Sequence, residues 1–304
     1  MNVGKRLLTL VVALTLAVLV LAGCGGGGAS SSSGGKTLTL GSIGWTENIA
    51  VSTLTQVVMQ DELGYKEVQI KGPLDLGPLF QGVASGDLQA FQDVWLPNNE
   101  NYLNKPQIKN DVELLKPWYE SKTAYGIAVP DYMSNVQSLS DLNHAGTDQI
   151  TGIEPSASFM PVIRNKVIPG YNLNVKLVES STAAMLSELQ KKYKAKEPII
   201  FLAWSPHWMN AVYNFHYLED PKGLEKPFSD PSRITTVVNE NLEKDDPEAY
   251  AFLEAISLDE KQVNEMEAEI NKAGADNPEK GVRNWLKDNQ DVVQPWVKAA
   301  KEAG

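Results

Sequence analysis

Three tryptophans share a setting that could do chemistry. Trp45 follows Gly44 at the end of TLTLGSIGW, and Trp95 and Trp204 each stand two residues before a proline, in Trp95-Leu96-Pro97 and Trp204-Ser205-Pro206. An aromatic face carries partial negative charge, so a cluster of such rings suits a cation, above all a quaternary ammonium group with no N–H to donate. At about 0.5–2 kcal/mol per ring, three or four rings supply a few kcal/mol toward the roughly 8 kcal/mol of micromolar binding. Methyl burial and polar contacts must supply the remainder. The alternative is that the rings only close the ends of a core.

Other chemistry has few carriers. The histidines are His144, His207 and His216, and neither H-E-x-x-H nor G-x-S-x-G occurs. A membrane-anchored hydrolase acting on choline-type compounds would need a pair such as His207 and Glu154. A histidine after Trp-Ser-Pro reads better as support behind Trp204. Cys24 is the single cysteine, so no disulfide or cysteine metal site is expected, and no catalytic residue or cofactor. The absence of G-x-x-x-x-G-K-[ST] means that this chain does not itself bind ATP phosphates through a P-loop.

The surrounding pattern positions the rings. Residues 37–45 alternate and read as a strand ending at Trp45; Glu47–Gly64 reads as a helix with Leu54, Val57, Val58 and Leu63 on one face. A short strand EVQI follows, then a helix near Gly77–Ser85, then a strand LQAFQDVW that ends at Trp95. This rhythm predicts an α/β lobe with mainly parallel strands. In the second half, STAAMLSELQKKYKAK reads as a helix capped by Ser180 or Ser181, and EPIIFLAW as the strand after it. Proline forbids continuation of a central strand, so Trp95 and Trp204 fall at strand carboxyl ends, where open α/β sheets bind ligands. Asn277-Pro278 opens a carboxyl-terminal helical region in which Trp285 and Trp296 read as core. Trp118 fits a connection between lobes, and Trp208 a support for Trp204.

At the amino terminus, Lys5 and Arg6 precede an uncharged run, LLTLVVALTLAVLVLA, and then Gly23-Cys24. Residues 1–23 read as a signal peptide, since the run is short for a bilayer span. Leu21-Ala22-Gly23-Cys24 resembles the bacterial lipobox, which implies lipid on Cys24. Residues 25–35, GGGGASSSSGG, form a flexible tether of roughly 18 Å typical span. The mature body from Lys36 is long enough for two lobes. The formal charge of -11 becomes -13 once Lys5 and Arg6 are subtracted, which argues against nucleic acid as a partner.

Four motifs, Gly44-Trp45-Thr46-Glu47, Asp93-Val94-Trp95-Leu96-Pro97, Gly152-Ile153-Glu154-Pro155 and Trp204-Ser205-Pro206-His207-Trp208-Met209, occur in this order behind a lipobox. Together they resemble the glycine betaine and choline substrate-binding proteins of osmoprotectant ABC importers. The resemblance implies an α/β, two-lobed clamp of the type II periplasmic-binding-protein kind, with residues 36–121 plus 220–304 in lobe 1 and 122–219 in lobe 2. It implies a monomer on the extracytoplasmic face of the cell membrane, with a quaternary ammonium ligand and ABC permease subunits as partners. Trp45 and Trp95 would face Trp204 across the cleft, Tyr125 would add a wall, and the amides of Ser158 and Phe159 would receive a carboxylate. Betaine-specific members often have a histidine where this chain has Glu100, while Glu47 and Glu100 match acidic positions of choline-binding members. Glycine betaine is the first expectation and choline the second.

Overall fold

The computed structural model describes residues 35–121, 125–226, 228, 232–274 and 276–304. The signal peptide, Cys24 and nearly all of the tether therefore lie outside the described residues. No helix among the described residues is long and apolar enough to cross a membrane.

Two five-stranded sheets organise the chain. The first contains β1 (Thr37–Gly41), β2 (Glu67–Lys71), β3 (Ala90–Leu96), β4 (Val112–Ser121) and β10 (Ser232–Asn239), in the order β2-β1-β3-β10-β4. The second contains β5 (Tyr125–Pro130), β6 (Gln149–Thr151), β7 (Lys176–Val178), β8 (Ile200–Trp204) and β9 (Phe215–Tyr217), in the order β7-β6-β8-β5-β9. Each sheet is parallel through its first three positions and antiparallel at the fourth, where β10 pairs with β3 and β5 pairs with β8. The two central strands that carry Trp95 and Trp204 at their carboxyl ends, β3 and β8, are buried along their whole length, with β3 running one residue past Trp95 to Leu96, as expected for parallel strands covered on both faces.

The first strand stops earlier than the alternation suggests. β1 ends at Gly41, and Trp45 is instead the residue before a helix over Thr46–Glu62. Between them, Asn48 holds the turn: its Oδ1 accepts from Ser42 Oγ at 2.7 Å and from the Ile43 amide at 3.0 Å. Gly44 has φ +88°, a left-handed conformation that a side chain would resist. The polar partners of the loop outweigh its apolar alternation, so the chain leaves the sheet before the ring.

The second-half helix spans Thr182–Ala195, and Ser181 caps it by accepting from the Ala184 amide at 3.2 Å. The carboxyl-terminal helices Glu260–Ala273, Pro278–Leu286 and Gln290–Ala303 bury Trp285 and Trp296, so these two rings belong to the core. Trp118 is buried in β4, the last strand of the first sheet before the chain changes sheets, and donates to Gln92 O at 2.8 Å. The segment from Leu218 to Glu225 rests on the second sheet: Leu218 N donates to Ile127 O, and Glu225 accepts from the Ile127 amide at 3.2 Å.

Candidate functional site

A cavity lies where the carboxyl ends of β3 and β8 face each other. Trp45, Trp95, Trp204 and Tyr125 line it together with Phe228. The Tyr125 ring is the hub: it stands 6.3 Å from Trp95, 6.1 Å from Trp204 and 6.0 Å from Phe228, centroid to centroid. Strand pairing explains part of this, because Tyr125 is the cross-strand partner of Trp204. Phe159 is fully buried behind the wall, 4.9 Å from both Tyr125 and Phe228.

Each of the three tryptophans gives its indole N–H to a carboxylate. Trp45 Nε1 donates to Glu154 Oε2 at 2.8 Å, Trp95 Nε1 to Asp93 Oδ1 at 2.9 Å, and Trp204 Nε1 to Glu47 Oε2 at 3.3 Å. Glu154 is in turn held by the Thr182 amide and hydroxyl at 2.8 and 2.9 Å. Hydrogen bonding to a carboxyl oxygen fixes each ring's edge, and a ring face held in this way suits a cation above it.

The polar part of the cavity comes from Glu47, Asn98, Asn99 and Ser158. Asn99 Nδ2 donates to Ser158 Oγ at 3.2 Å, and Asn99 Oδ1 accepts from the Trp95 amide at 2.8 Å. Glu47 is 1 % exposed and lies in the cavity wall, whereas Glu100 is on the surface. Burial, with a smaller contribution from the Glu154 charge, pushes the Glu47 carboxyl up to about 7. Asp93 is raised well above the carboxylate range, again first by burial and then by Glu47.

His207 does not meet Glu154. Its Nδ1 accepts from the Met209 amide at 3.0 Å, its ring packs edge-on at 4.8 Å against Trp204, and Trp208 lies 5.4 Å beyond it. Burial holds its imidazole down to about 3, so it is neutral packing behind Trp204 rather than a proton carrier. Among the described residues no group of His, Cys, Asp or Glu could hold a metal ion.

Asn98, Asn99, Ile153 and Phe228 were not among the residues anticipated from the sequence, yet all line the cavity. Asn98-Asn99 directly follows Pro97 and could have been weighed as the polar continuation of a strand-end turn. Ile153 lies inside a quoted motif. Phe228 sits in a turn-rich segment with no periodic pattern, and nothing local marks it.

The second set of contacts bridges elements of the two sheets. Ser156 Oγ donates to Asp75 at 2.9 Å, Tyr102 OH to Ser156 O at 3.0 Å, Ser205 Oγ to Glu260 at 2.5 Å and the Trp208 amide to Glu267 at 2.7 Å. The arrangement is a closed cleft.

The sequence profile of the substrate-binding domain of ABC-type glycine betaine transport systems matches residues 36–288. The glycine betaine/carnitine transport binding protein of Listeria monocytogenes is 37% identical over 160 residues, 52% of this chain and 51% of that protein. That alignment spans about half the length of the curated relative. Lactococcal OpuAC, in a closed conformation complexed with glycine betaine, superposes with a TM-score of 0.75 at 33% identity, covering 86% of this chain and 99% of that one. An ABC-transporter choline-binding protein in complex with choline gives 0.77 at 26% identity, covering 88% and 94%.

Proposed function

Because the chain belongs to the family of substrate-binding domains of ABC-type glycine betaine transport systems, whose members bind and deliver rather than transform, we propose that it captures a quaternary ammonium osmolyte, glycine betaine first, between its two lobes. The observation that carries this reading is the set of three indoles, each tied by its N–H to a carboxylate, lining one cavity with Tyr125. Trp45, Trp95, Trp204 and Tyr125 hold the ammonium methyl groups. The amides of Ser158 and Phe159, with the Ser158 hydroxyl on the cavity wall, receive the carboxylate at the other end.

Capture proceeds by closure. Trp45 and Trp95 belong to the first sheet's elements and Trp204 and Tyr125 to the second's, so only the closed form brings all four rings to one ligand. The chain passes from the first sheet to the second after β4 and returns to the first with β10. The closed clamp then docks as a monomer on the membrane subunits of an ABC permease. Lipid on Cys24 and the Gly/Ser tether hold it at the extracytoplasmic face of the membrane.

Choline is the second reading, and Glu47 favours it: a carboxyl group in the cavity wall attracts a net cation more than a zwitterion. The exposed position of Glu100 removes that residue from the argument. Calorimetric titration with glycine betaine and choline in parallel tests both readings. Micromolar or tighter binding of betaine supports the first, choline alone supports the second, and heat from neither returns the rings to core packing.

A further inference from the structure

One buried carboxyl group, Glu47, lines the candidate site, and two more, Asp93 and Glu267, lie behind it within reach of its charge. Glu47 is 1 % exposed, Asp93 0 % and Glu267 2 %. Each has one oxygen engaged by an N–H: Glu47 by Trp204, Asp93 by Trp95 and Glu267 by the Trp208 amide. In each, the other oxygen, Glu47 Oε1, Asp93 Oδ2 and Glu267 Oε1, is buried without a hydrogen-bond partner. Among the described residues no lysine or arginine forms an ion pair with any of the three.

The groups come from separate elements and feel one another's charge. Glu47 starts the helix Thr46–Glu62, Asp93 is in β3 and Glu267 is in the helix Glu260–Ala273. Thr46 donates to Glu47 at 3.3 Å and also faces Glu267. From the second sheet's side come Glu154, which acts on Glu47, and Tyr125, whose hydroxyl faces Glu47, Glu154 and Glu225. His207 is neutral. Nothing positive faces the cluster from any of these elements. Two of the three N–H donors, on Trp204 and Trp208, belong to the second sheet's side, so Glu47 and Glu267 take these bonds when the cleft is shut.

A buried cluster of like charges must take up protons or be neutralised by a ligand. We infer that Asp93 and Glu267, acting through Glu47, set the net charge the closed site accepts: a zwitterion is enclosed together with a proton, whereas a net cation is enclosed without one. This rests on the capture reading above and adds to it a rule for choosing between ligands. Asp93 and Glu267 are positioning residues in this scheme, since neither needs to touch the ligand.

The sign follows from linkage. Burial raises Glu47 to about 7 and Glu267 well above its usual range with the cleft shut, and opening, which withdraws the Trp204 and Trp208 N–H groups, lets both ionise; Asp93, buried within β3 in either form, is coupled to them through the Glu47 charge. Closure on a zwitterion is therefore favoured at low pH and weakens as pH rises through the raised values. Titration of the protein from pH 6 to 8.5 should show glycine betaine affinity falling by up to about tenfold per pH unit, the slope of one proton, with choline changing less than about threefold. At pH 7.5, phosphate and Tris should give different apparent heats for betaine and nearly equal heats for choline. Asp93→Asn and Glu267→Gln keep an oxygen for their N–H donors and should flatten the betaine slope; a merely structural role would weaken both ligands alike and leave the slope unchanged. Equal slopes for the two ligands, or heats independent of buffer, would overturn the inference while leaving capture intact. The wild-type measurement decides this even if a variant fails to fold, and heat from neither ligand overturns capture and the inference together.

Discussion

The ends of β3 and β8 carry the same local design and use it differently. Both strands are buried throughout, both carry a tryptophan at or next to their last residue, and in both the proline two residues after that tryptophan follows a cis peptide. Yet the Trp95 indole is anchored by Asp93 two residues earlier in its own strand, whereas the Trp204 indole is anchored by Glu47, which belongs to the other sheet's first helix. Trp45 follows the second pattern, since its partner Glu154 lies after β6. One ring is thus a standing wall whatever the cleft does, and two rings are fastened only when the cleft shuts. Similar sequence at two strand ends gives a preformed half-site on one side and a latch on the other.

Breaking the standing wall should have the largest effect. Trp95→Ala should lower glycine betaine affinity by at least about 100-fold, from the lost ring face and lost methyl burial, with the ligand-free melting temperature changed far less than by Trp296→Ala in the core. Calorimetry and thermal unfolding read the two quantities; a melting temperature that falls as far as the core variant's would move Trp95 into the packing class. Breaking the latch alone is gentler. Trp204→Phe keeps a ring face and loses the bond to Glu47, so affinity should drop by about tenfold, almost all of it in faster dissociation measured by stopped flow; a loss carried by the association rate would deny the latch. The smallest effect belongs to the surface: Glu100→Gln should change the affinity for either ligand by less than about twofold, and a larger shift would bring that exposed carboxylate back into the question of specificity.

The strand-end tryptophans were legible because proline announces where a central strand must stop, and the helix after Ser181 was legible from its cap and periodicity. The two-lobed α/β architecture follows from the α/β rhythm and the resemblance in motifs, whereas the order of strands within each sheet had no local signal. What could not be read was direction across the cleft. Glu47 and Glu100 are the same residue type, each in the first turn of a helix, and one is in the cavity wall while the other is in solvent. The pairing of each indole with a carboxylate depends on chain segments as far apart as Glu47 and Trp204, which no local pattern encodes. Phe228 reaches the cavity from a turn, and its neighbours in sequence carry no period that would aim it there.

The antiparallel fourth strand of each sheet has a consequence for the nascent chain. The second sheet is assembled from one unbroken stretch, Tyr125 to Tyr217, so all of its strands have emerged together. The first sheet lacks its fourth strand until β10 arrives, when Ile234 comes to lie beside Trp95. Long-range pairing of this kind is slow because the loop must close before any contact rewards it. Pulse-labelled hydrogen exchange during refolding should therefore protect the amides of β8 before those of β3, and protection in the reverse order would refute it. The sheet begun first is thus the one that must wait, with an edge of β3 open, until the whole of the second sheet has been made.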